Sequence, residues 1–359
     1  MATKMLRPNV GIYVATANAF ADWTAPTLTE ITNASNVFNI SPAVTDDYTL
    51  NMTDSASDNS LAIVDNASVT TPTYYNYEAS LDGFRDADLG AETSYTMFQD
   101  LFADADIKYY LIKRVGKTHD AAFAAGDEIS IYGVKTDFPV DLVGDGEMLR
   151  IGARFLTTGE VRVNVAVAAG TAGVGPLLQA SVGTKSQSNG KLKVWWVAAD
   201  DITDEEQFIN APTDYQIGAL GLDLTNAIAW DGYDLGATDS NKIDDRGIVD
   251  EGAVQERGFA QFTGSLTFFR GITSETTGAY ADAFAAFKAA TDGSRPQGYL
   301  VTRINKAASG AYVGSDIVSV YKFIADAYMD NTEGEDSVKF MVNFAPQGKL
   351  GVNVSVIAD

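Results

Sequence analysis

Arg85 and Arg270 occupy the same place in two copies of one pattern, each at the end of a strand-like run. A guanidinium repeated there can cap carboxylates or bridge to a carboxylate on another subunit, so both are candidate subunit-interface residues. Little else in the chain is arranged for chemistry. Asp and Glu number 48 against 25 Lys and Arg, so pairing any two carboxylates as acid and base carries no information. Asp86-Ala87-Asp88-Leu89-Gly90 has the opening spacing of a calcium loop but lacks the later bidentate glutamate. Gly144-Asp145-Gly146-Glu147 reads as a turn. The chain has no cysteine and one histidine, His119, read as exposed in a polar loop. Disulfides, thiol chemistry and histidine-based triads or metal sites are thereby set aside. No Gly-x-x-x-x-Gly-Lys phosphate loop is present. The expectation is no catalytic residue, no metal and no cofactor.

The repeat behind the two arginines runs the length of the chain. Met148–Val167 and Ser337–Val356 share Phe155/Phe344, Gly159/Gly348 and Val163-Asn164-Val165/Val352-Asn353-Val354, all offset by 189. Further anchors follow in the same order. Ile12–Ala15 echoes Trp195–Ala198 at offset 183, and Ala25-Pro26-Thr27 echoes Ala211-Pro212-Thr213 at 186. Tyr77–Arg85 echoes Phe262–Arg270 at 185, and Tyr110-Leu111 with Arg114 echoes Tyr299-Leu300 with Arg303 at 189. A period this long is two whole domains rather than a solenoid. The boundaries expected are a first domain over 1–168, a Gly/Ala/Ser-rich linker over 169–192 and a second domain over 193–359.

Each half opens on a short apolar strand, 10–17 and 193–199. An Asn/Ser/Thr/Asp-rich stretch, 32–70, reads as an extended loop. An alternating strand, Tyr75–Arg85, follows. Tyr95, Phe98, Leu101 and Phe102 then take helical spacing, as do Tyr280, Phe284 and Phe287, with Gly293 and Pro296 as the stop. Strands are expected at Tyr109–Val115 and Glu128–Thr136, then a hairpin, 149–156 and 160–168, turning at Thr157-Thr158-Gly159. The second copy has Tyr299–Asn305, Asp316–Ala325, and 337–345 with 349–357 turning at Pro346-Gln347-Gly348. Alternation puts Val338, Phe340, Val342 and Phe344 on an apolar face. Arg150, Arg154, Arg162, Asn164, Lys339, Asn343 and Asn353 form a polar face, a candidate lumen or interface surface. The fold class is mostly β (α+β).

No apolar run approaches a membrane span, and Met1–Arg7 lacks the apolar stretch of a signal peptide, so a soluble, cytoplasmically made chain is expected. The Asn-x-Ser/Thr sites at Asn33, Asn51, Asn66 and Asn353 are accordingly read as coincidental. The formal net charge of −23 disfavours a surface that grips phosphate.

Tyr77-Glu78-Ala79-Ser80-Leu81-Asp82-Gly83-Phe84-Arg85-Asp86, its copy Phe262–Arg270, the single helix and the closing Asn343-Phe344-Ala345-Pro346-Gln347-Gly348 resemble the tail tube (major tail) proteins of long-tailed, siphovirus-like phages. The resemblance covers roughly 10–168 and 193–359. It implies two tandem β-sandwich or half-barrel domains, each with one flanking α-helix. It implies rings of six domains stacked into a tube that conducts viral DNA. The family usually has one domain per chain; this duplicated chain is similar to the rarer members whose ring is a trimer of double domains. The partners implied are other copies of the chain, tape measure, tail-tip and tail-terminator proteins, and double-stranded DNA passing without specific binding. No membrane partner is implied, and the location is the virion tail after assembly in the host cytoplasm. Two other readings compete. A fibre or surface-layer module would carry a secretion signal. A carbohydrate-active β-sandwich enzyme would carry a cleft with aromatics and two placed carboxylates, whereas Trp23, Trp195, Trp196 and Trp230 do not cluster in a way that suggests a sugar platform.

Overall fold

A computed structural model describes residues 9–58, 71–88, 90–144, 147–244, 254–271, 277–288, 295–331 and 337–359. Leu89, Asp145-Gly146, Gly293, Asn66 and the 59–70 part of the expected loop lie outside the described residues. The first half contains β1 (Val10–Thr16), α1 (Leu28–Ile31), β2 (Val37–Asn39), β3 (Val44–Asp58), β4 (Thr71–Phe84), α2 (Ser94–Leu101), β5 (Lys108–Val115), β6 (Glu128–Thr136), β7 (Val140–Leu142) and β8 (Arg150–Ala166). The second contains β9 (Leu192–Ala198), α3 (Glu205–Asn210), α4 (Asp214–Gly218), β10 (Leu222–Asp223), β11 (Ile228–Thr238), β12 (Lys242–Asp244), β13 (Gln255–Arg257), β14 (Gln261–Phe269), α5 (Ala279–Lys288), β15 (Gln297–Ile304), β16 (Ile317–Ala325), β17 (Met329–Asn331) and β18 (Lys339–Ser355).

The fold is mostly β, built on two curled antiparallel half-barrel sheets. Strand order is β2-β1-β5-β6-β8-β4-β3 in one and β10-β9-β15-β16-β18-β14-β11 in the other, so each strand has its duplicate at the same position. Central strands carry continuous apolar runs because both faces are covered: Gly11-Ile12-Tyr13-Val14-Ala15 of β1 is buried throughout. The flanking helix is α2 in one unit and α5 in the other. Short helices α1, α3 and α4 are added to what the sequence pattern showed.

The expected hairpins are single strands. β8 and β18 each run 17 residues without a turn. The first part of β8 pairs with β4 (Ser80↔Arg154, Phe84↔Arg150) and the rest with β6 (Thr136↔Phe155, Glu128↔Ala166). Glycine and Thr-Thr, or Pro-Gln, suggest a turn, but the backbone uses them for bulges. Val134 opposes Thr157 while Tyr132 opposes Val161; Phe323 opposes Pro346 while Tyr321 opposes Leu350. Two extra residues are thus accommodated at one point in each copy, with Gly159 at φ 78° and Gly348 at φ 70°. A second bulge holds Asn164 at φ 54° and Asn353 at φ 55°. Asparagine tolerates this left-handed backbone, which accounts for the repeated Val-Asn-Val.

The expected loop at 32–70 is also corrected. Residues 37–39 and 44–58 are strands, and β3 pairs along β4 from Val44↔Gly83 to Asp58↔Thr71. Its Thr, Asp and Asn side chains suit a strand whose outer edge is wet, and composition alone misread them. Val338, assigned to the apolar face, is exposed; Phe340, Val342 and Phe344 are buried.

The chain divides into two compact units that do not follow the halves. Unit 1 is residues 1–139, 150–185 and 240–258; unit 2 is 140–149, 186–239 and 259–359. Residues 169–185, read as linker, lie along unit 1. Leu177 donates to Val37 (2.7 Å), Ser94 to Ser181 (2.9 Å) and Ala87 to Thr184 (2.7 Å) through backbone N–H groups. β9 begins at Leu192, inside the expected linker.

In unit 1 Phe98 of α2 and Phe102 at its C-cap pack on Leu81, Ile151 and Phe155, while Phe20, Leu28 and Ile31 cover Tyr110 and Ile112 in a second cluster. The Ala-Pro-Thr anchor is a helix start. Thr27 and Thr213 form capping boxes with Glu30 and Gln216. Each Thr also bridges the strand exit of its copy, Thr27↔Ala168 and Thr213↔Ile357.

Candidate functional site

The two repeated arginines differ in burial. Arg85 is 4% exposed and lies inside unit 1. Arg270 is half-buried; its Nη1 donates to Asp330 Oδ1, and its guanidinium lies 4.3 Å from the Phe284 ring centroid. Arg270 thereby ties β14, β17 and α5 of unit 2.

The polar-face residues fall on equivalent strands and carry their counter-charges with them. Arg154 pairs with Asp82 (2.8 Å) on the neighbouring strand β4, and Arg150 reaches past β4 to Asp47 (3.0 Å) on β3. Gly152 leaves room for Arg154: a Cβ there would sit 2.8 Å from its guanidinium. In unit 2 Lys339 pairs with Asp231 (2.8 Å), and Ser265 Oγ donates to Asn343 Oδ1 (3.0 Å). Arg162 lies 5.9 Å from the Trp23 ring centroid. Arg150, Arg154 and Lys339 of the face that reads as basic along one strand are therefore paired with acids from other strands of their own sheets, a pairing that sequence spacing cannot show. Asn164 and Asn353 serve the bulges, and their N–H groups point to Ser130 Oγ and Ser319 Oγ, 3.4 Å in each case.

A cluster not singled out from sequence proves to be duplicated in full. Arg114 and Arg303 are each 1% exposed. Arg114 Nη2 donates to the Thr118 and Ala121 carbonyls (2.7 Å each) and faces Asp127 at 3.5 Å. Arg303 donates to the carbonyls of Ala307, Gly310 and Ala311 (2.8–2.9 Å) and to Asp316 Oδ2 (2.7 Å). Lys117 and Lys306 complete the pairs on Asp127 and Asp316. Phe123 and Tyr312 lie under the guanidiniums at 4.1 and 4.8 Å. Each buried arginine thus organises the loop between two central strands. The signal was available: Arg, Lys, aromatic and Asp all recur at offset 189. His119, expected to be exposed, sits in the first of these loops half-buried; its carbonyl accepts from Tyr13 OH (2.8 Å) and Asn39 Nδ2 (2.9 Å).

Burial alone would raise the Asp316 carboxyl, but Lys306, Arg303 and the Val313 N–H outweigh it and hold it below its ordinary value. Asp127 is lowered in the same way by Lys117, Ala124 N–H and Arg114. Glu205 is pulled from 4.5 to about 2 by hydrogen bonds from Lys322 and Lys349, with Tyr299 adding a third. Depressed carboxyl pKa values contribute stability above the unfolded-state values and lose it as pH falls through the folded ones. Thermal stability should therefore hold above about pH 5 and decline between there and about pH 2. Glu205→Gln should flatten part of that decline in melting temperatures measured across the range; parallel curves would contradict the assignment.

Among the described residues, no group of three or more His, Asp or Glu could hold a metal ion, and no helix is long and apolar enough to cross a membrane. The family model for phage tail tube proteins matches the chain twice, over residues 1–170 and again over 181–359. No curated protein matches it.

Proposed function

The chain belongs to the phage tail tube protein family, and from that premise we propose that three copies close into a pseudo-hexameric ring, each contributing two units. Stacked rings then form the tail tube of a siphovirus-like virion and conduct double-stranded DNA during ejection. The protein's role is structural, not enzymatic. Its partners are further copies of itself and the tape measure, tail-tip and tail-terminator proteins, met during assembly in the host cytoplasm.

The observation that carries this reading is the pair of long edge strands. β3 and β11 each end their sheet at the same position, with β4 and β14 as their ladder partners. An edge of this length is an aggregation hazard in a solitary protein. Closing sheets edge to edge around a ring removes it. The wet face of β3, β4 and β8 supports the conduit, because its cations are already paired with carboxylates. With a net charge of −23, such a wall repels phosphate and lets DNA slide. Arg270, with its own partners inside unit 2, contributes to the ring by holding β17 in place. The mass of the purified protein in solution tests the stoichiometry: species in multiples of three chains are expected, and a dimer series would overturn it.

A further inference from the structure

β2 in unit 1 and β10 in unit 2 end their sheets at the same position. In unit 1 that edge is covered. After β8 the chain comes back along β2, and Leu177 is laid parallel against Phe38. Its N–H donates to the Val37 carbonyl (2.7 Å), and its carbonyl accepts from the Asn39 N–H (2.8 Å). Its side chain packs on the core cluster that contains Phe98 of α2.

Strand register gives the counterparts in unit 2. Phe38 opposes Val14, which opposes Leu111; Leu222 opposes Trp196, which opposes Leu300. Ile40 and Leu224 then bond back in the same way, to the Ile12 and Val194 carbonyls (3.2 and 3.0 Å). Gly221 and Asp223 therefore stand where Val37 and Asn39 do. Alternation along the strand turns the Gly221 carbonyl and the Asp223 N–H away from β9. Among the described residues, nothing bonds to either group.

Beside this bare edge lies a cavity of about 680 Å³. Trp196 and Leu222 line it from the sheet and Ala286 from α5. Ala286 stands 185 residues after Leu101, which packs on the core in unit 1, and the shorter side chain leaves room for a guest. Asp200 and Asp201 lie at the rim, exposed and without an ion pair among the described residues. Arg295, also at the rim, is paired with Asp326 (3.3 Å).

We propose that this edge of unit 2 docks an extended segment of a partner protein. The segment lies parallel to β10, with a leucine in the cavity and a lysine or arginine on its N-terminal side. Unit 1 displays the mode by filling its own copy of the edge. Strand addition of this kind takes affinity from main-chain bonds and specificity from a side-chain pocket. Direction fixes where the guest's charge falls. β9 runs antiparallel to β10 and ends at Ala198, just before the two rim carboxylates, so a parallel guest brings its N-terminal side to them. The unpaired acids, on a chain of net charge −23, favour a basic partner over a second copy. The site stands independently of the ring reading.

Synthetic peptides, added to the full-length protein and followed by fluorescence anisotropy, test the site. The peptide of residues 173–180 carrying Val174→Lys should bind in the micromolar range. The same peptide with Leu177→Asp, or with the Leu177 nitrogen methylated, should not bind; these changes leave the protein untouched, so a folding defect cannot produce the loss. The peptide that keeps Val174 should bind about two- to fivefold more weakly, the worth of an exposed ion pair. Asp200→Asn with Asp201→Asn should erase that difference. Ala286→Leu restores the side chain that unit 1 has at this place and should abolish binding. No binding of the lysine peptide, or binding that survives N-methylation or Ala286→Leu, would overturn the site. Equal or tighter binding of the Val174 peptide would overturn the basic partner. Assembled tubes should bind the lysine peptide as the free protein does; tubes that exclude it would put a second copy in the groove and overturn the partner assignment.

Discussion

Replacing Arg303 by alanine should destabilise unit 2 by about 3–5 kcal/mol, the range for stripping one partner from a buried ion pair. The carbonyls of Ala307 and Ala311 lose this donor, that of Gly310 keeps only Lys193, and Asp316 keeps Lys306 and the Val313 N–H. Arg303→Lys should recover little, because an ammonium cannot reproduce a fork that serves three carbonyls and a carboxylate. Arg114→Ala should act in the same direction in unit 1, where the guanidinium serves two carbonyls and Asp127. Chemical denaturation of the purified variants checks this; a loss below about 1 kcal/mol for Arg303→Ala would show that the cluster is incidental.

Phe287→Ala should cost a similar amount, about 3–5 kcal/mol for a large aromatic removed from a closed core. Phe287 is fully buried and has ring contacts with Trp196 (5.4 Å), Phe268 (5.4 Å) and Phe344 (5.3 Å). It is the residue through which α5 grips β9, β14 and β18. Its duplicate Phe102 meets Phe155 at 5.2 Å in the same arrangement. With the helix loosened, the sheet should keep its strands but lose their fixed curvature, so assembly should fall along with the melting temperature. Unchanged stability in Phe287→Ala would mean the helix is not part of the cooperative core.

The duplication was legible because its anchors are places where the backbone has few alternatives. Phe155/Phe344 face the helix, Gly159/Gly348 and Asn164/Asn353 take left-handed φ, and Thr27/Thr213 start helices. Strand positions and the helix faces followed from periodicity. The hairpins at 157–159 and 346–348 were misread because glycine beside Thr or Pro serves a bulge as well as a turn, and only the strand opposite distinguishes them. β3 was hidden because an edge strand needs no apolar alternation on its wet side. The polar face read as basic because its acids, Asp47, Asp82 and Asp231, come from other strands. The placement of 240–258 in unit 1 is tertiary information.

The central claim is a ring of three double units, and electron microscopy of the concentrated full-length protein tests it most directly. Hollow rings or tubes with six-lobed end views, three chains to each ring, are the predicted result. Rings built from six chains, or from any number other than three, would contradict it.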